Sequence, residues 1–218
     1  MKSNIYLFFL VAFGIALISC DDDPTNPEPT NYSSVDICGK TWMDKNLKVE
    51  HYKNGDKIPQ VTDPTQWANL TTGAWCYYNN DPLTNNIYGK LYNWYAVNDP
   101  RGLAPEGWHI PSFSEYEALA NCLGGWEIAG GKMKAGGTDY WLTPNTAATN
   151  ETGFSGLPGG SRGYTGDFKD FGKGGCWWTS TESAQLSARY WYLGYNVACF
   201  GPAGSGKTDG YSVRCVKD

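Results

Sequence analysis

Histidine is scarce in this chain of 218 residues: only His51 and His109 occur. Seven cysteines are present, but no Cys-x-x-Cys pair, so the donor spacing of a structural zinc site is absent and no metal is predicted. His51 lies in a polar stretch. His109, between Trp108 and Ile110, reads as a packed or partly exposed side chain. No sequence pattern sets a nucleophile beside a base, and no catalytic residue is predicted. Positive charge is also short. Against 22 Asp and Glu there are 17 Lys and Arg, a formal net charge of -5, and no basic cluster forms; this excludes a nucleic-acid partner. After the first twenty residues no apolar run is long enough to cross a membrane.

The one long apolar run stands at the start. Lys2 precedes Ile5 to Leu17, which contains one glycine and no charge. A short basic start followed by an apolar core describes a secretory signal. The alternative, a marginal membrane helix, requires ~20 apolar residues. Leu17-Ile18-Ser19-Cys20 has the form of a bacterial lipobox, which makes residues 1–19 a lipoprotein signal peptide and Cys20 the lipidated first residue of the mature chain. Acyl chains there are expected to hold the protein to a membrane, since each buried methylene contributes roughly 0.8 kcal/mol. Residues 20–34 then read as a tether: Asp21, Asp22 and Asp23 followed by Pro24, Pro27 and Pro29, a stiff and solvated composition. Acidic residues just after a lipidated cysteine resemble the surface-export signal of Bacteroidetes lipoproteins. The expected location is the outer membrane or cell surface.

About 190 residues follow the tether, enough for one domain. Glycine (27), tyrosine (15) and tryptophan (10) are abundant, which describes a loop-rich chain leaning on large flat side chains. If Cys20 carries lipid, Cys38, Cys76, Cys122, Cys176, Cys199 and Cys215 remain, an even number expected to pair or to be buried. Residues 42–47 and 74–78 read as extended segments, the second closed by Asn79-Asn80-Asp81-Pro82. Residues 88–98 read as a helix, with Leu91, Trp94 and Tyr95 on one face. Ser112 and Glu115 form a capping box for a second helix with Tyr116, Leu119, Ala120 and Leu123 on its apolar side and Gly124-Gly125 at its end. Residues 130–175 show no strong period. Strands return at 176–179, 189–195 and 211–216, the last alternating around Tyr211, Val213 and Cys215. Early helices and late strands predict an α+β fold.

A set of blocks then resembles a known family. Lys40-Thr-Trp-Met-Asp-Lys-Asn-Leu47, Tyr88-Gly-Lys-Leu-Tyr-Asn-Trp94 and Pro105-Glu-Gly-Trp-His-Ile-Pro111 come first. Asn150-Glu-Thr-Gly-Phe-Ser-Gly-Leu-Pro-Gly-Gly-Ser-Arg162, Trp177-Trp-Thr-Ser-Thr-Glu182 and Gly210-Tyr-Ser-Val-Arg-Cys-Val-Lys-Asp218 follow. In this order they resemble the Fibrobacter succinogenes major paralogous domain, which occurs in surface and secreted proteins, and they assign residues 35–218 to it. The resemblance implies a C-type-lectin-like fold, with two helices, a small twisted and mostly antiparallel sheet, and a long glycine-rich loop region. By analogy with C-type lectins it favours Cys122 bridged to Cys199 or Cys215. It implies no specific activity.

Two neighbouring families offer chemistry to test. Sugar-binding C-type lectins hold calcium through carboxylates, and the matching positions Thr143-Pro144-Asn145 and Trp178-Thr179-Ser180 lack them. Formylglycine-generating enzymes share a stretch like Ile110 to Glu117 but need a close cysteine pair for copper, whereas Cys176, Cys199 and Cys215 are far apart in sequence. No cofactor is predicted. Gly201-Pro-Ala-Gly-Ser-Gly206-Lys207-Thr208 fits the phosphate-loop pattern, but no helix follows it, so it reads as a flexible hairpin loop that binds no nucleotide. Trp42, Trp94, Trp108 and Trp178 fall in family blocks and read as core, while Arg162 and Arg214 are expected to pair with carboxylates. Tyr140, Trp141, Tyr164, Phe168 and Phe171 lie in the aperiodic region and are the predicted ligand-binding aromatics, since flat rings bind at low entropy cost. The expected function is a non-enzymatic, lipid-anchored binding or adhesion module for a glycan or a surface protein. A structural surface protein without a discrete ligand is the alternative, and a relative of formylglycine-generating enzymes the third reading.

Overall fold

The computed structural model describes residues 32–218; the predicted signal peptide, Cys20 and the tether up to residue 31 lie outside them. Twelve strands and five helices follow in the described residues. Strands β1 (Ser34–Ile37) and β2 (Lys40–Met43) form a hairpin. Then come α1 (Pro64–Ala68), β3 (Trp75–Cys76), α2 (Asn85–Tyr88), β4 (Leu91–Asn93), α3 (Trp94–Val97) and β5 (Trp108–His109). The two longest helices, α4 (Phe113–Cys122) and α5 (Trp126–Met133), are consecutive. After an irregular stretch the chain returns to strands. They are β6 (Gly159–Arg162), β7 (Phe168–Phe171), β8 (Gly174–Ala184), β9 (Ser187–Gly194), β10 (Phe200–Gly206), β11 (Gly210–Tyr211) and β12 (Val216–Lys217). The fold is α+β.

Two sheets organise these elements. The smaller has the order β1-β2-β12-β5, so both ends of the domain meet in it, with Val216 opposite Trp42 and His109. The larger has the order β10-β9-β8-β6-β11-β4-β3, and β7 pairs with β6 off this path. Neighbouring residues on a strand point to opposite faces. Trp177 therefore enters one core, with α4, α5 and Trp191, while Trp178 enters another, with Trp94 and Tyr211. Trp42, Trp94, Trp108 and Trp178 are all buried, as expected of them. Each such ring removes roughly 200 Å² from water, about 5 kcal/mol of driving force before entropy is counted.

The capping box forms as read: Ser112 Oγ accepts the Glu115 amide at 3.3 Å, and Glu115 Oε2 accepts the Ser112 amide at 2.9 Å. Tyr116, Leu119 and Ala120 face the core, and Gly124 and Gly125, at φ 100° and 104°, end the helix. The disulfide differs from the expected pairing. Cys122, in the last turn of α4, bonds to Cys38 in the β1–β2 turn, with 6.4 Å between Cα atoms. Cys199 is occupied against α5, and Cys215 is sealed in the core, so neither meets the end of α4. Cys76, Cys176, Cys199 and Cys215 are free thiols, all buried except half-exposed Cys199.

Residues 88–98 are not one helix. Gly89 turns at φ 71°, β4 runs between β3 and β11, and Asn93 Oδ1 accepts the Ala96 amide at 3.0 Å to start α3. All three β4 residues are buried, and a strand buried on both sides loses the alternation that marks strands. Residues 130–175 hold more order than the sequence suggested, including the end of α5, β6 and β7. A Cβ at Gly130 would sit 2.1 Å from the Cys199 carbonyl, so only glycine lets α5 lie against that backbone. The phosphate-loop look-alike is not a flexible loop: Gly201 to Gly206 are strand β10, paired to β9 throughout. Lys207 is buried, with Nζ 2.6 Å from Glu182 Oε1 and 4.7 Å from the Trp94 ring. Residues 211–216 cross from one sheet to the other instead of forming one strand. Arg214 donates to Asn46 Oδ1 at 2.7 Å and to the Phe154 carbonyl, so its partners are carbonyl oxygens and not the expected carboxylate.

Candidate functional site

The β6–β7 hairpin shapes an open cleft. Arg162 stands opposite Phe168, and Ser161 opposite Lys169, so the two pairs point to opposite faces. The Arg162 guanidinium is fully buried between the rings of Trp67 (4.4 Å) and Phe168 (4.9 Å). It donates to the carbonyls of Val61 at 2.6 Å, Thr62 at 2.8 Å and Gly166 at 3.0 Å. Again carbonyl oxygens replace the expected carboxylate. These bonds tie residues 61–62 to the hairpin loop. Helix α1 continues that wall: Asp63 Oδ1 accepts the Gln66 amide at 2.7 Å, and Pro64 opens the helix. Gly166, at φ 88°, closes onto it; a Cβ there would lie 2.5 Å from Pro64 Cα.

The opposite wall is Asn79-Asn80, both in the left-handed region at φ 52° and 57°, which asparagine tolerates. Thr62, Pro64, Asn79, Asn80, Asp167 and Phe168 border a cavity of about 370 Å³ with Arg162 at its base. Asn80 Nδ2 donates to the Thr62 carbonyl at 3.2 Å. Asn80 Oδ1 is buried and accepts no hydrogen bond from the described residues. Asp167 Oδ2 accepts from Thr165 Oγ1 at 2.9 Å and is otherwise exposed. An aromatic chain flanks the cleft. Tyr78 stacks on Phe171 (4.6 Å) and meets Phe168 edge-on (5.3 Å); Tyr88 meets Phe171 (4.9 Å) and Tyr140 (6.2 Å). Burial raises the pKa of both Tyr78 and Tyr88, so their phenols stay neutral donors.

Of the predicted aromatics, Phe168, Phe171 and Tyr140 are thus brought together through Tyr78 and Tyr88. Tyr164 stands apart in the hairpin loop at 65% exposure. Trp141 corrects the expectation: it is 1% exposed, packs in the core with Phe154 and Trp177, and donates Nε1–H to the Gly156 carbonyl at 3.0 Å. Tyr78, Asn79 and Asn80 were read only as a strand end and turn. Their signal was two asparagines after paired tyrosines, the composition of a left-handed turn rather than of a site.

Asn85 Oδ1 and Asn145 Oδ1 are also buried without a hydrogen-bond donor from the described residues, but neither borders the cleft. His109 lies between Glu115 (2.9 Å) and Asp218 (2.7 Å). Burial opposes its charge, but the two carboxylates raise its pKa above the usual value. Glu115 is partly buried, yet hydrogen bonds from Lys40, the Ser112 amide and His109 lower its pKa to about 2. Asn145 gives its amide to the Ala135 and Gly137 carbonyls. Among the described residues no group of three His, Cys, Asp or Glu side chains is placed to hold a metal, and no helix is long and apolar enough to cross a membrane.

With this geometry in place, comparison with known families is decisive. Residues 35–217 match the Fibrobacter succinogenes major domain. The chain belongs to that family. Neither the curated proteins nor the solved structures give a match. The cleft lies wholly within the Fibrobacter succinogenes major domain, since every residue that borders it falls between 62 and 168.

Proposed function

We propose that this protein is a lipid-anchored surface binding module of C-type-lectin-like fold, and that the cleft beside Phe168 holds a glycan. One observation carries the ligand reading: a buried acceptor, Asn80 Oδ1, lacks a donor at the edge of an open polar cleft. Buried acceptors are rarely left unmatched, and a sugar hydroxyl supplies the missing donor. Asn79, Asp167 and Thr62 offer the further donors and acceptors that a polyhydroxylated ring needs. The exposed edges of Phe171 and Tyr140 extend the contact to the apolar face of a sugar. Binding without turnover fits this set, which pairs no nucleophile with a base.

The fold reading is supported by three features: α4 and α5 pack as a pair, the two ends of the domain meet in the small sheet, and a long irregular stretch precedes the late strands. Anchoring at the cell surface rests on the lipobox at Cys20 and the aspartates after it. Labelling cells with radioactive palmitate tests it: the chain incorporates label and Cys20→Ser does not. The ligand reading is tested on a glycan array with detergent-solubilised full-length chain and the Asn80→Ala and Asp167→Ala variants. Binding that both variants lose supports it. Binding that neither variant weakens, or none at all, overturns it in favour of protein adhesion or a structural role.

A further inference from the structure

The cleft beside Phe168 is unbalanced in its hydrogen-bonding groups. Most of its donors are engaged. Arg162 gives N–H groups to the carbonyls of Val61, Thr62 and Gly166, and Asn80 gives Nδ2–H to the Thr62 carbonyl. The Gly166 amide donates to the Gly163 carbonyl at 2.8 Å, and Pro64 has no N–H to give. Acceptors are left over. Asn80 Oδ1 is buried without a donor. Asp167 Oδ2 accepts from Thr165 Oγ1, while its Oδ1 accepts nothing among the described residues. A ligand that fits this set brings more donors than acceptors.

Its charge is one-sided as well. Asp167 is exposed at the border of the cavity and stands in no ion pair among the described residues. Asp63 lies between Thr62 and Pro64 on one wall, and Asp81 follows Asn80 on the other. Each uses one oxygen as a cap, on the Gln66 and Leu83 amides, and neither is paired with a Lys or Arg among the described residues. Two cations lie close by. Arg162 is enclosed by Trp67, Phe168 and three carbonyl oxygens, which leaves it no exposed surface. Lys169 alternates with Phe168 to the other face of the hairpin, where its charge acts on Asp209. The mouth of the cleft is therefore acidic. No three carboxylate, histidine or cysteine side chains converge among the described residues, so a bare metal ion finds too few ligands and the matching cation is an organic one.

We propose that the glycan held by this cleft carries a free, protonated amino group, as in a hexosamine whose nitrogen is not acylated, and that Asp167 selects it. The inference rests on the cleft reading above and adds the charge of the ligand. An ammonium brings three N–H donors and a positive charge, and the charge-assisted bond to Asp167 is stronger than a neutral one. It sits at the Asp167 edge, away from Arg162. The ring hydroxyls beside it supply the donor that Asn80 Oδ1 lacks, and the exposed Asn79 amide, unbonded among the described residues, serves the ring oxygens. An N-acetylated sugar fits less well, because its amide has no charge and brings a further acceptor. A lysine side chain has the charge, but its methylene stem carries no hydroxyl for Asn80.

Isothermal titration of the detergent-solubilised full-length chain compares hexamers of β-1,4-linked and β-1,6-linked glucosamine with their fully N-acetylated counterparts, at mildly acidic pH and low salt. Hexalysine is the charge control. At least one glucosamine hexamer is expected to bind about tenfold more tightly than its acetylated counterpart, and the preference is expected to shrink as salt is raised. Asp167→Asn keeps an acceptor for Thr165 and removes the charge. It is expected to bring the two hexamers within about twofold of each other while leaving the circular dichroism spectrum unchanged. Asn80→Ala is expected to weaken both. Equal binding of amine and acetylated hexamers in both linkages overturns the proposal, as does a preference that survives Asp167→Asn. Hexalysine bound as tightly as the glucosamine hexamers also overturns it and makes the cleft a site for basic peptides. Array binding of uncharged glycans that Asn80→Ala abolishes, without any preference for amines, leaves the cleft reading standing and this inference fallen; no binding of any glycan, on the array or in titration, removes both.

Discussion

The irregular stretch of residues 134–158 and the strands of residues 174–206 lie side by side but are held in different ways. The strands carry their own ladder of hydrogen bonds, from Gly174 opposite Gly194 to Gly206 opposite Ser187. The irregular stretch lacks such a ladder, and side chains satisfy its carbonyls instead. Lys134 is fully buried, and its ammonium donates to the Thr146 carbonyl of this stretch at 2.8 Å and to the Val197 and Gly194 carbonyls of the neighbouring strand region at 2.8 and 3.0 Å, which ties the two together. Asn145, Trp141 and Arg214 donate to the carbonyls of Ala135, Gly156 and Phe154. Arg162 holds the walls of the cleft by this device too. A ladder distributes its stability over many bonds, whereas here one side chain supports several turns of backbone.

That difference sets the scale of the expected effects. Lys134→Met keeps the packing but leaves three carbonyls unmatched, and is expected to cost about 4–5 kcal/mol in urea unfolding. A loss under about 1 kcal/mol would show that the stretch stands without its lysine. Opening the Cys38–Cys122 bridge, 84 residues apart, is expected to cost about 4 kcal/mol, because the unfolded chain regains the entropy of a long loop. Cys38→Ser/Cys122→Ser measured by the same method checks it.

Glu115→Gln keeps the capping geometry but removes the charge, with an expected cost of about 1 kcal/mol at neutral pH. Its pH dependence is more informative. Glu115 titrates near 2 in the fold against a usual 4.5, so its contribution is complete above pH 4.5 and is lost as pH falls toward 2. His109 is raised above 6.5, so its contribution is complete below that pH and lost as pH rises through the folded value. Thermal unfolding of the variant across pH 2–8 is expected to lose the acid limb; an unchanged limb contradicts the assignment. The smallest effect belongs to the ladder. Arg189→Ala, exposed on β9, is expected to stay within ~0.5 kcal/mol of the parent, and a larger loss would erase the contrast with Lys134.

The sequence made β8 and β9 legible through strand-forming composition and α4 through the Ser112–Glu115 box, whereas the alternation at Tyr211, Val213 and Cys215 misled, since residues 211–216 cross from one sheet to the other. It did not reveal β4, whose Leu91, Tyr92 and Asn93 are all buried and so mimic the spacing of a helix. It misplaced Trp141, because nothing local tells a ring that anchors a loop from one that decorates it. Arg162 and Arg214 were expected to seek carboxylates, but carbonyls freed by irregular backbone are acceptors that no pairing rule on charges detects. For the same reason the cleft was half visible: Phe168 and Phe171 could be singled out as rings, whereas Asn80 gains its meaning from a Thr62 carbonyl 18 residues away.

The central claim is that the cleft around Asn80 holds a glycan, and hydrogen–deuterium exchange of the full-length chain with and without a glycan selected from the array tests it most directly. The account predicts slower exchange in two separated segments at once, Asn79 to Asp81 and Gly166 to Phe168, with Asn80→Ala removing the effect in both. Protection confined to any other part of the domain, or unaffected by Asn80→Ala, would contradict it.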